Sequence, residues 1–183
     1  MQKRFPVILA VLAIFAALSA APAQAEKAAT IEQNSREALA LLKQNSEGAR
    51  RLADDARAIL VFPKIVKGGL IIGGQYGEGA LFNGEDLNGY YSTAAASFGL
   101  QAGLQTFGYA VFFLDDGAVQ YLDSSDGWEI GTAPNVVVVE SGAGASLTTT
   151  SAKENIYVFF FDQKGLMAGV TIEGTKITKI NPE

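Results

Sequence analysis

The sequence predicts a mainly β domain, an antiparallel-rich and glycine-rich barrel or sandwich with two helices at its N-terminal end, α+β in class. Three observations predict it. Helical periodicity is confined to one stretch, Thr30 to about Leu60. Nineteen of the 20 glycines follow Gly48, and all but that one lie between Gly68 and Gly174. Beyond the helices, short aromatic and β-branched runs alternate with turn residues, and no further helical pattern separates them as a βαβ array requires.

The first 25 residues form a separate segment. Lys3 and Arg4 precede the apolar stretch Val7 to Ala20, and Ala23-Gln24-Ala25 offers small residues where a signal peptidase reads. Residues 1–25 are therefore expected to be a signal peptide cleaved before Glu26, leaving 26–183 as one domain. With 14 Lys+Arg against 19 Asp+Glu the net charge is −5, and loss of Lys3 and Arg4 makes the remainder more acidic by two charges. That balance argues against nucleic acid as a partner. The chain has no cysteine, so neither a disulfide nor a lipid-modified N-terminal cysteine is available.

Thr30-Ile31-Glu32-Gln33 has the form of a capping box, after which Ile31, Ser35, Ala38 and Leu42 fall on one side with Leu39 beside them. Ser46 is placed to cap a second helix with Ala49, Leu52, Ala53, Ala56, Ile59 and Leu60 as its apolar stripe and Pro63 marking its end. Tyr90–Phe98 and Leu104–Leu114 are expected as neighbouring strands, with Asp115-Asp116-Gly117 as a hairpin turn into Val119–Leu122. Asp123–Gly127 reads as another turn, Trp128-Glu129-Ile130 as a short strand, Val136–Val139 as a strand buried on both faces and Ser146–Thr150 as an extended edge. Ile156–Phe161 is an intensely apolar strand, Asp162–Gly165 its turn, and Leu166–Ile172 with Lys176–Ile180 a final hairpin through Glu173-Gly174-Thr175.

A pentamer Gly-Leu-x-x-Gly occurs at Gly69–Gly73, Gly99–Gly103 and Gly165–Gly169. Were these strands, two glycines four residues apart would leave one face bare at neighbouring points, where a helix or another backbone packs closely.

Chemistry is bounded by absences. Without histidine or cysteine, nucleophilic Ser–His and Cys–His arrangements and imidazole or thiolate zinc sites cannot be built. Gly73–Gly79 matches neither Gly-x-Gly-x-x-Gly nor a phosphate loop. Asp115, Asp116, Asp123, Asp126 and Glu129 cluster, yet in turn-like settings that favour aspartate without catalysis, and Asp123–Glu129 has its glycine one place early for a calcium loop. No catalytic residue, metal site or cofactor is expected. The positive feature is Phe62-Pro63-Lys64-Ile65-Val66-Lys67-Gly68, in which Lys64 and Lys67 bracket an apolar pair after a helix carrying Arg50, Arg51 and Arg57. Docked at one rim, these cations would meet lipid phosphates while apolar residues enter the interface.

Ile59–Lys64, Gly73–Gly79, Ser97–Gly103, Ser125–Gly131 and Gln163–Gly169 together resemble the SYLF domain, also called the Ysc84-type lipid-binding domain, in five ordered matches within Ala29–Ile180. Eukaryotic members bind phosphoinositide-containing membranes, partly through an amphipathic N-terminal helix that corresponds to Thr30–Lys43, and some bind actin. Bacterial members are commonly exported single-domain proteins. The leader, the lack of nucleophilic chemistry and the resemblance together lead us to expect a non-catalytic domain, periplasmic or exported and peripherally associated with anionic membrane lipids; the basic–apolar pattern makes Lys64 and Lys67 the preferred contacts ahead of Arg50, Arg51 and Arg57. The alternative is a structural or protein-interaction domain with a cell-envelope protein as partner.

Overall fold

The computed structural model describes residues 28–69, 72–98, 103–123, 128–129, 136–140, 155–165 and 174–182. The leader, the turn at 124–127, Ser146–Thr150 and Leu166–Ile172 fall outside them. Two helices, α1 (Ala28–Asn45) and α2 (Glu47–Asp55), precede strands β1 (Ala58–Gly69), β2 (Ile72–Asn83), β3 (Asp86–Phe98) and β4 (Gly103–Phe113). Helix α3 (Asp116–Asp123) is followed by β5 (Trp128–Glu129), β6 (Val136–Glu140), β7 (Ile156–Gly165) and β8 (Lys176–Ile180).

All eight strands belong to one sheet in the order β5-β8-β3-β2-β1-β4-β7-β6, antiparallel throughout except for the parallel pair β6–β7. The mainly β, antiparallel-rich α+β class is as expected, but the sheet neither closes into a barrel nor splits into a sandwich. It stays open because each face has its own apolar layer. Ile59, Val61, Ala80, Phe82, Ala110, Phe112, Tyr157 and Phe159 lie under the buried Ile31, Leu42, Ala49 and Leu52 of α1 and α2. On the opposite face Leu60, Phe62, Ile65, Leu81, Tyr91, Phe107, Tyr109, Val111, Val158 and Phe160 pack with Ala118 and Leu122 of α3.

The stripe Ile31, Ser35 and Leu42 is buried as the helical spacing requires, although α1 begins at Ala28, so Thr30 sits inside the helix. Ser46 caps α2, accepting a hydrogen bond from the Ala49 amide at 3.2 Å. The second helix ends earlier than expected. Ala56 is already extended, and Ile59 and Leu60 begin a strand whose two faces are both buried. Such a strand reads as an unbroken apolar run, which periodicity alone does not separate from a buried helix. Pro63 does not end a helix. It lies in a β-bulge of β1, where the register skips between Val61 and Lys64 against β2 and between Phe62 and Ile65 against β4, a position that tolerates a missing amide donor.

Asp115-Asp116-Gly117 does not turn a hairpin. Asp115 Oδ1 accepts from the Ala118 amide at 2.7 Å and caps α3, so Val119–Leu122 is helical, with Ala118 and Leu122 buried one turn apart. The same short carboxylate suits both roles. Likewise Asp162–Gly165 remains in β7, where Asp162, at φ 57°, makes a bulge between the pairs Gly108–Phe161 and Thr106–Lys164. The runs read as neighbouring strands, β3 and β4, are separated by β2 and β1.

Buried in the middle of the second layer, the Tyr109 hydroxyl lies 2.7 Å from Thr93 Oγ1. Burial pushes the Tyr109 phenol well above the usual tyrosine range, and the Thr93 bond only partly offsets this. A phenol held neutral in the fold contributes stability that is complete below the unfolded value near pH 10 and is lost as pH rises towards the folded value. Stability should therefore fall above about pH 10, and fall less steeply in Tyr109→Phe. Urea denaturation of the two proteins between pH 8 and 11 checks this; identical slopes would refute it.

Candidate functional site

Beyond the helices, the half of their sheet face that continues towards the glycine-rich end is open. Alternation from Val61 through the bulge puts Lys64 and Val66 on that face, opposite Glu78 and Tyr76 of β2. A cavity of about 710 Å³ opens between these residues and α1, lined also by Glu37, Ala38, Leu41, Leu42 and Phe161. Leu41, Val66 and Tyr76 are about half exposed, and Leu104, which lies over Gly68, is 71% exposed. Large apolar side chains grouped on one exposed surface mark a place where something docks. Lys64 is the exposed cation of the cavity, facing the carboxylates of Glu37, Glu78 and Asp162. Tyr76 donates to Glu78 Oε1 at 2.6 Å, and its phenol is pushed up to about 12 by burial first and then by that bond and the carboxylate charge.

The cations named from the sequence do not share a rim. Arg50, Arg51 and Arg57 are exposed, and Arg51 pairs with Glu47 on its own helix. Arg57 precedes β1, its amide bound to the Phe113 carbonyl at 2.8 Å, and Lys64 lies seven residues further along, roughly 20 Å at strand rise. Lys67 is on the other face of β1 from Lys64 and only 7% exposed. The helix corresponding to Thr30–Lys43 turns its apolar stripe inward onto the sheet, and its Arg36 is held by Glu32 at 2.8 Å and stacked 4.6 Å over the Phe82 ring.

Sequence reasoning missed what surrounds Lys67. In register across β2, β1 and β4 stand Gln75, Lys67 and Gln105, all buried on one face. Gln75 Nε2 donates to the buried Thr175 Oγ1 at 3.2 Å, while Gln105 Oε1, buried, has no hydrogen-bond partner among the described residues. The next row outward is Gly73, Gly69 and Gly103, again in register and half-buried. The signal was present in the pattern: Lys-x-Gly, Gly-x-Gln and Gly-x-Gln at Lys67–Gly69, Gly73–Gln75 and Gly103–Gln105 alternate in the period of a strand. Gly69 and Gly73 pair across the β1–β2 hairpin next to its connection, Gly103 begins β4 and Gly165 ends β7; residues 70–71, 99–102 and 166–169 of the pentamers lie outside the described residues.

The described residues thus form an open, antiparallel-rich sheet covered by helices on half of one face, with an exposed apolar groove beside them. Residues 94–182 match the model of the Ysc84 family, described as Las17-binding protein actin regulator. The family is also called SYLF, and the matching stretch takes in β3 from Ala94 onward, β4, α3 and β5–β8 and leaves the helices, β1 and β2 before it. Among curated proteins none matches the chain.

Proposed function

We propose that this is a non-catalytic, exported domain, periplasmic once its leader is removed, that associates peripherally with anionic membrane lipids. The carrying observation is the exposed apolar group Leu41, Val66, Tyr76 and Leu104 beside the exposed Lys64, on a sheet face that the helices leave uncovered. Apolar side chains that enter a membrane interface next to a cation that meets phosphate are the ordinary elements of peripheral binding. No helix among the described residues is long and apolar enough to cross a membrane.

A second reading has its own support. The family description names binding of the protein Las17, and the groove carries Glu37, Glu78 and Asp162 against Lys64, a balance suited to a basic, apolar segment of an envelope protein. Sedimentation decides between them. The protein expressed from Met1 in an exporting host, its mature N-terminus expected at Glu26, is spun with neutral and anionic vesicles at low and moderate salt. Binding to anionic vesicles is expected, weakening with salt and several-fold in the folded double variant Val66→Ser, Leu104→Ser. No binding to either vesicle rejects the lipid reading in favour of the protein partner.

A further inference from the structure

We infer that the buried face around Lys67 is a site for a single phosphodiester headgroup that carries a hydroxyl, seated on the glycine row Gly73–Gly69–Gly103. The inference deepens the lipid reading and rests on it only for the source of the phosphate.

Three observations carry it. Lys67 is 7% exposed, yet it has no ion pair or hydrogen bond among the described residues, and its neighbours in register, Gln75 and Gln105, are neutral. The stem is buried while the ammonium still touches water, since it is not one of the fully buried polar atoms without a partner, and a cation held so among neutral neighbours is placed to meet an anion. Gln105, 3% exposed, offers on the same face a carbonyl oxygen that has no partner among the described residues. A buried acceptor without a partner asks for a donor, which a bare phosphate diester lacks and a neighbouring hydroxyl provides. Finally, the row beyond has no side chains at all. Gly69 is in register with both Gly73 and Gly103, and all three are half-buried. Glycine in a strand marks close approach of a ligand or another backbone, and here the half-buried glycine row lies immediately outside the polar row.

The division of labour follows from chemistry. The Lys67 ammonium faces the phosphate oxygens, the Gln105 carbonyl accepts from the hydroxyl, and Gln75, held by Thr175, fixes the other side of the row. Lys64, on the opposite face of the same strand, takes no part. A glycerol phosphate group has this combination, whether it belongs to a phosphatidylglycerol bilayer or is free in solution.

The test uses the exported protein, with vesicles of phosphatidylglycerol and of phosphatidylmethanol. Both are anionic phosphodiesters of equal charge, but only the first has a hydroxyl on its headgroup. A parallel arm measures thermal stabilisation by free glycerol 3-phosphate. Binding to phosphatidylglycerol should be roughly tenfold tighter, the worth of satisfying one buried acceptor. That preference should vanish in Lys67→Met and in Gln105→Leu, and persist in Lys64→Gln even as overall vesicle binding weakens. Because methionine keeps the volume of the buried stem and removes a charge that pairs with nothing among the described residues, Lys67→Met should unfold at the same or a higher temperature than the unaltered protein. A lysine with only a structural role would lose stability instead. Equal binding to the two vesicles, or a preference that survives both substitutions, overturns the site and leaves the membrane reading standing. Glycerol 3-phosphate stabilisation lost in Lys67→Met, without binding to any vesicle, keeps the site and removes the membrane. Neither kind of binding overturns both.

Discussion

Gly79→Ala is expected to lower stability by about 3 kcal/mol, the upper end of what overpacking ordinarily costs. Gly79 stands opposite the β1 bulge, and a methyl group there would overlap the Val61 carbonyl and come within 2.7 Å of Phe62 Cδ1. The first of these neighbours is backbone, fixed by the ladder and by the Ser35 hydroxyl, which donates to the Val61 carbonyl at 3.2 Å. It cannot rotate away as a side chain can. Gly108 flanks the bulge on the other side: a methyl there would overlap the Phe161 ring and come within 2.8 Å of the Pro63 carbonyl oxygen. Gly108→Ala should follow Gly79→Ala with a smaller loss, since the phenyl ring can shift. Gly117→Ala is the comparison. It lies exposed in the first turn of α3, where alanine is the better helix former by up to about 1 kcal/mol, so its stability should be unchanged or raised. Urea denaturation of the three variants measures the order, and a loss below about 1 kcal/mol in Gly79→Ala would refute the close approach.

Legibility in the sequence followed the range of the interactions. Helix α1, the cap at Ser46 and the strands at Ile156 and Lys176 are set by residues a few places apart, and those were readable. What failed depended on partners remote in the chain. The bulge at Pro63 makes sense only with Gly79 and Gly108 beside it, so an apolar run ending in proline read as a helix ending in proline. Asp115 and Asp162 were recognised as residues that bend the chain, but capping a helix, bulging a strand and turning a hairpin use the same carboxylate and the same tolerance of unusual backbone. The glycine pentamers mark places without side chains, and residues 70–71, 99–102 and 166–169 within them lie outside the described residues. The alignment of Gly73, Gly69 and Gly103 into one row needed the register of three strands.

The candidate site divided for the same reason. Lys64 and Lys67 bracket two residues, a spacing that in a regular strand already puts them on opposite faces, and β1 is regular from Lys64 to Gly69. Read as a loop after a helix, the segment had no faces to distinguish. Once it is a strand, a single element supplies an exposed cation to the groove and a buried one to the opposite layer.

Phe112→Ala should cost about 3–5 kcal/mol, as expected for a fully buried phenylalanine, and should loosen the helices as well as the sheet. Phe112 lies on the face that α1 and α2 cover and meets Phe159 edge-to-face with ring centres 5.2 Å apart. The helices hold to the sheet through few buried side chains, chiefly Ile31, Leu42, Ala49 and Leu52, and α2 has only nine residues, too short to persist without packing. A cavity under them should therefore raise local opening of Ala28–Asp55 beyond the global loss. Phe62→Ala is the matched control: Phe62 is equally buried but faces the other layer, 4.9 Å from the Tyr109 ring. Hydrogen exchange separates the two. Amides of α1 and α2 should exchange faster in Phe112→Ala than in Phe62→Ala at equal global stability, set by adjusting denaturant. Equal rates would mean that the helices and both layers open as one unit, and the groove wall formed by Ala38, Leu41 and Leu42 would then be as rigid as the sheet beneath it.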